Sequence, residues 1–356
     1  MTCRPLLITF LLFCGTACAH VSEARSIVSQ KPFVAGYDIY GTDRINAEEV
    51  RQYLGAELEL CVDFLLQLKI ENYSSCRDRI SNKVLNHFHF AYSGLSAIQY
   101  FNQKNGNPVY VTFDVVEPSD KKVRMRFVPR PTEPFEDPDG LLKAWDDYLT
   151  LGFDLLKTNE ITSAREDCPA FHCVFGHKHP KLAPFEKIFM AGVAKNESRL
   201  KQIFLNDKSD QHRGNAAFLL AYSHDGMELV KLLSLRMADE SDVVRNNVMR
   251  VFSDISNYHR QITLPLDKVY AALEMPATTD RNKASSVILG KLTDPVEREK
   301  YRKDIMNKAV PIFLKTLRLK QPNNHDMAYL ALKLLSGETF GEFDYSSWEN
   351  WYKSAR

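Results

Sequence analysis

Five side chains able to bind soft or borderline metals fall between residues 168 and 179: Cys168, His172, Cys173, His177 and His179. Zinc takes four such ligands in tetrahedral geometry, and short Cys and His spacings are its usual signature. Two readings follow. In one the cluster holds a metal, as in a metal-dependent enzyme or a metal carrier. In the other, the absence of a second C-x-x-C pair and the four residues between the cysteines favour a disulfide joining Cys168 to Cys173. His87 and His89 lie two apart in a helix-like stretch, where side chains diverge, so they are poor co-ligands. The chain has no G-x-S-x-G elbow, H-E-x-x-H, Walker A loop or G-x-G-x-x-G fingerprint, the local signatures of hydrolases, zincins and nucleotide binders. Adjacent carboxylates such as Asp146-Asp147 diverge on helices and read as solvated faces. Neither a catalytic residue nor a cofactor is assigned.

The redox setting of the cysteines is read from the first 19 residues. Arg4, the apolar run from Leu6 to Cys14 and the small-x-small triplet Ala17-Cys18-Ala19 make a secretory signal peptide, and cleavage puts the mature start at His20. Lipidation at Cys18 is the alternative. Export leaves Cys61, Cys76, Cys168 and Cys173, and the simplest connectivity pairs Cys61 with Cys76 and Cys168 with Cys173. No later window has the roughly 20 apolar residues a bilayer span needs, so the mature chain is expected to have no integral membrane segment. Forty-six basic against forty-five acidic residues leave a net charge of +1, which removes the global electrostatic case for nucleic-acid binding.

The elements that would position these residues fall into three parts. Residues 32–130 read as a small α+β domain of order β-α-α-β-β. FVAGYDIYG is a strand, Asn46 and Glu49 form a capping box, two helical stretches follow, and Val109 to Val115 alternates with Val123 to Phe127 as a hairpin. This order resembles the POTRA module of exported and outer-membrane-assembly proteins. Residues 131–180 form a connector, proline-rich at first and cysteine-bracketed later, where proline disfavours continuous helix or central strand. Residues 181–356 are helical, with a repeat marked by the stretch from Asp239 to Ile255, DESDVVRNNVMRVFSDI.

Aligned on its arginine, RNNVMRVFSD at Arg245 has counterparts in RGNAAFLLAY at Arg213 and RNKASSVILG at Arg281, and a weaker one in HDMAYLALKL at His325. The spacings are 245 − 213 = 32, 281 − 245 = 36 and 325 − 281 = 44. Apolar residues recur three, six and seven positions after each arginine, so each such helix buries one face. The pattern resembles the HEAT-repeat family, and the tryptophan-rich end, with Ser346 and Glu349 as a capping box, resembles the closing segment of bacterial exported HEAT-repeat proteins. The resemblance implies an all-α solenoid, a periplasmic location and binding of a protein partner. If Val248, Val251, Phe252 and Ile255 are buried, Asn247, Arg250 and Asp254 share the opposite face. Subtracting 32 adds Asn215, Phe218 and Tyr222 to a candidate partner-binding patch, the competing reading being that the two aromatics pack between repeats.

Overall fold

The computed structural model describes residues 32–67, 69–100, 106–161 and 167–355; the expected signal segment and Cys18 lie outside them. A small sheet near the amino end precedes a long run of helices. Strand β1 (Pro32–Tyr40) leads to helices α1 (Ala47–Leu54), α2 (Ala56–Leu66) and α3 (Ile70–Phe88), then to strands β2 (Tyr92–Gln99) and β3 (Asn107–Val116). The Asn46 capping box forms as expected: Asn46 Oδ1 accepts the Glu48 and Glu49 amides at 2.9 and 3.1 Å, and Glu49 Oε2 accepts the Asn46 amide at 2.7 Å. Gly55, at φ +52, splits into α1 and α2 what the periodicity reads as one helix, because side chains rarely adopt that backbone region.

The expected hairpin of Val109–Val115 with Val123–Phe127 does not form. Strand β3 pairs antiparallel with β2 and parallel with β1, giving the order β1-β3-β2. The three-residue spacing of Leu95 and Ile98 mimics a helix face in the sequence. In β2 those two side chains point to opposite faces, and both are buried. Pro118 instead opens a 3-10 turn at Pro118–Asp120 leading into the short helix α4 (Lys121–Arg124). Val123, needed inside by the hairpin reading, is 48% exposed.

Eleven further α-helices follow among the described residues: α5 (Leu141–Lys157), α6 (Ala183–Asn206), α7 (Asp210–Leu219), α8 (Gly226–Leu233), α9 (Asp242–Tyr258), α10 (Leu266–Leu273), α11 (Thr278–Leu292), α12 (Pro295–Lys308), α13 (Val310–Thr316), α14 (Pro322–Ser336) and α15 (Tyr345–Ser354). Helices α6, α7, α9, α11 and α14 pack in that sequence, each against the next, while α10 and α13 lie against α11 and α14. One apolar core joins Val50 to Val115, and a second runs from Leu141 to Trp348. Helix α5 belongs to the second core, with Trp145 and Tyr148 fully buried, so the segment read as a connector supplies one of its helices. Trp348 closes that core at the far end, its indole N–H donating to the Gly341 carbonyl at 3.0 Å. Helix α15 is capped not by Ser346 but by Asp344, whose Oδ1 accepts the Ser347 amide at 3.2 Å.

The arginines that mark the repeat share one bonding pattern. Arg213 makes a bidentate pair with Asp239 at 3.1 and 2.7 Å, and its Nη1 donates to the Asp207 carbonyl at 2.8 Å. Arg245 does the same with Asp280 at 2.8 and 2.9 Å and with the Asp239 carbonyl at 2.7 Å. Arg281 donates to the Pro276 carbonyl at 2.9 Å, but its carboxylate comes from strand β3: Nη2 bonds Asp114. Each guanidinium therefore binds the backbone ahead of its own helix; Arg213 and Arg245 also bind an acid at or just before the start of α9 and α11, whereas the sheet supplies the acid for Arg281. Two more contacts seat the sheet on the helices. Asp38 accepts the amides of Lys320 and Gln321 ahead of α14 at 2.9 Å, and Arg124 donates to the Val115 and Glu274 carbonyls at 2.7 and 2.9 Å.

Candidate binding face

The Cys168–His179 segment is a strap, and its five candidate ligands are spent separately. Cys168 and Cys173 are joined, with their Cα atoms 5.7 Å apart. His177 is buried; its Nδ1 donates to the Leu182 carbonyl at 3.3 Å, so Nε2 accepts the Tyr222 hydroxyl at 2.7 Å. Burial holds the His177 pKa below its ordinary value, with the bond to Leu182 acting the other way. His172 Nδ1 lies 2.7 Å from Asp254 Oδ2 and its ring stacks on Phe218 at 4.9 Å. His179 approaches Glu160 at 3.9 Å. No three His, Cys, Asp or Glu side chains converge as a metal site among the described residues. The thiolates that the metal reading requires are instead the two halves of a disulfide.

Cys61 and Cys76 do not pair. They are buried free thiols on α2 and α3, close enough to interact, and burial raises the Cys61 pKa, with hydrogen bonding to Cys76 adding to the shift. In the apolar interior of the smaller core they pack as small hydrophobes. His87 stacks on Tyr53 at 3.8 Å, and His89 ends α3 in the left-handed conformation at φ +57 rather than continuing the helix.

The strap also settles the predicted patch residues. Phe218 and Tyr222 are buried, and Phe218 lies between the Trp145 ring, at 5.2 Å, and His172. The packing reading holds for both, because the chain's own strap and α5 cover the face they occupy. Asn215 is buried and donates to Asp146 Oδ1 at 2.8 Å; Asn247 is buried and donates to the Gly214 carbonyl at 3.1 Å. As surface contacts those four residues are corrected. Asp254 is partly buried under His172. Arg250 has no ion pair or hydrogen bond among the described residues: its guanidinium sits 5.9 Å from the centre of the Phe218 ring, half-buried.

Beyond Arg250 the same face continues onto α11 and α14. The position two residues after each marker arginine is Asn215, then Asn247, then Lys283. Adding the 36-residue spacing to Asn247 points to Lys283, a signal the single subtraction of 32 passed over. Lys283 is 8% exposed. It has no hydrogen bond or ion pair among the described residues. Its pKa is pulled well below the lysine range, first by burial and then by repulsion from Arg250, with Asp254 opposing. Burial likewise lowers Arg250, against the attraction of Asp254. Five residues after each marker stand Phe218, Arg250, Ser286 and Leu330; Ser286 bonds Ser253 at 2.6 Å, and Leu330 is 46% exposed. The face is thus covered by the chain itself at one end and cationic at its middle.

No helix of the described residues is long and apolar enough to cross a membrane. No protein-family model, curated protein or solved structure matches the chain.

Proposed function

We propose that the chain is an exported, non-catalytic scaffold that binds a protein partner along the face running from Arg250 to Leu330. In this reading the helices α7, α9, α11 and α14 are the inner helices of a short HEAT-like solenoid, and the sheet with α1 to α3 is a POTRA-like module docked on it. The observation that carries the solenoid reading is the recurrence of one bonding pattern at Arg213, Arg245 and Arg281. A stack built from equivalent units presents equivalent side-chain rows as an extended surface, which is how repeat folds bind. Export, to the periplasm in a bacterial cell, rests on residues 1–19, and the Cys168–Cys173 disulfide fits an oxidising compartment.

The test is photo-crosslinking in the native cell from a probe at Leu330, on this face, and from one at Leu235, which is 52% exposed outside it. The reading requires adducts to one partner from Leu330 and none from Leu235. Equal yields from both positions, or none from either, would contradict it.

A further inference from the structure

We propose that Arg250 and Lys283 form a carboxylate-binding site that receives an acidic side chain of the bound partner; this rests on the partner-binding reading above. In two units the residue two places after the marker arginine is an amide whose side chain is hydrogen-bonded, Asn215 to Asp146 and Asn247 to Gly214. In the third it is Lys283, equally interior yet without a hydrogen-bond partner among the described residues. Its amine is not among the polar atoms sealed from solvent without a partner, so it reaches the surface of the face and is open to a ligand.

Arg250 stands on the adjoining helix α9 one turn before Ser253, and Lys283 one turn before Ser286, the two serines being bonded at 2.6 Å, so the two cations fall beside each other where α9 packs on α11. The Arg250 guanidinium is steadied from one side by the Phe218 ring, and its planar fork of donors has no hydrogen-bond acceptor among the described residues. A guanidinium fork beside an ammonium is a donor set for an oxyanion. The charges select which one. Among the described residues Arg250 and a protonated Lys283 give two positive charges and Asp254 one negative, so a single carboxylate neutralises that set and a phosphate dianion overshoots it. His172 also faces the site, but it is engaged with Asp254. A carboxylate arriving here stabilises the protonated amine, so binding takes up a proton at Lys283 when the amine is neutral beforehand.

The test uses the mature full-length chain and a short peptide of alternating glutamate and glycine. A glutamine-glycine peptide, salt-matched chloride and inorganic phosphate of equal ionic strength serve as comparisons. The expected result is a rise in Tm of several degrees with the glutamate peptide only, lost in Lys283→Met and in Arg250→Met and retained in Lys283→Arg. Lys283→Met alone should melt no lower than the parent, which separates a lost site from a lost fold. A parent response equal for the two peptides, a larger response to phosphate, or a full response in Lys283→Met would overturn the proposal. The crosslink from Leu330 distinguishes the two levels. Undiminished yield in Lys283→Met leaves the scaffold standing and removes the carboxylate site, whereas absence of the crosslink in the parent removes the scaffold reading itself.

Discussion

Arg245 and Lys283 stand on neighbouring helices of one stack and are nearly equally buried, at 3% and 8% exposure, but they are treated in opposite ways. Arg245 has two carboxylate bonds and two backbone carbonyls. Lys283 has no hydrogen bond or ion pair among the described residues, and the strongest charge acting on it is the cation Arg250. A buried charge paired with an acid and with backbone carbonyls is part of what holds neighbouring helices in register. One left unanswered in the same stack contributes nothing to register and stays available to a ligand. The contrast separates residues that define the fold from residues that fit a partner, although burial alone ranks them together.

Breaking the satisfied member should have the largest effect. Arg245→Met leaves Asp280 buried without its partner and should cost about 3 to 5 kcal/mol, read by urea unfolding. A loss below about 1 kcal/mol would show that the guanidinium pattern is incidental to the stack. Phe218→Ser comes next: this ring lies beneath the strap and against Trp145, and emptying such a site costs about 3 to 5 kcal/mol, less where the neighbours collapse inward. Surface binding without packing would leave stability unchanged.

Opening the strap should have a smaller effect. The Cys168–Cys173 bridge closes a short loop, so replacing both cysteines by alanine should cost about 2 kcal/mol, with faster amide exchange around Tyr222 as the local sign. Unchanged unfolding and exchange would mean that His172 and His177 hold the strap by themselves. The smallest effect belongs to Lys283. Its folded pKa lies below the ordinary lysine value of about 10.4, so between the two the unfolded chain carries a proton that the folded chain lacks. Stability therefore falls as pH falls through that window. Lys283→Met should flatten this slope and leave stability equal or higher at neutral pH, whereas a steeper slope would reveal a compensating partner.

The parts of this molecule set by local chemistry were legible in its sequence. The Asn46–Glu49 box starts α1, the bridge joins Cys168 to Cys173, and the marker arginines fall at equivalent points of equivalent helices. What was misread depended on distant chain. Strand β2 looked helical because Leu95 and Ile98 are buried on opposite faces of a sheet covered on both sides. Phe218 and Tyr222 sat on the predicted face, but nothing local shows that residues 168–179 fold back over them. Cys61 and Cys76 lie close together yet remain thiols. Asp114, in the middle of an alternating strand, gave no sign that it would supply the acid for Arg281 in a helix that begins more than a hundred residues later.

The most direct test of the account is the face dependence of partner contact, measured with photo-crosslinkers at Leu330 and Leu235 in cells that make either the parent chain or Lys283→Met. The account predicts a single adduct from Leu330 in the parent, a several-fold lower yield of it in Lys283→Met, and none from Leu235. Equal adducts from the two positions would show that this face is no binding surface.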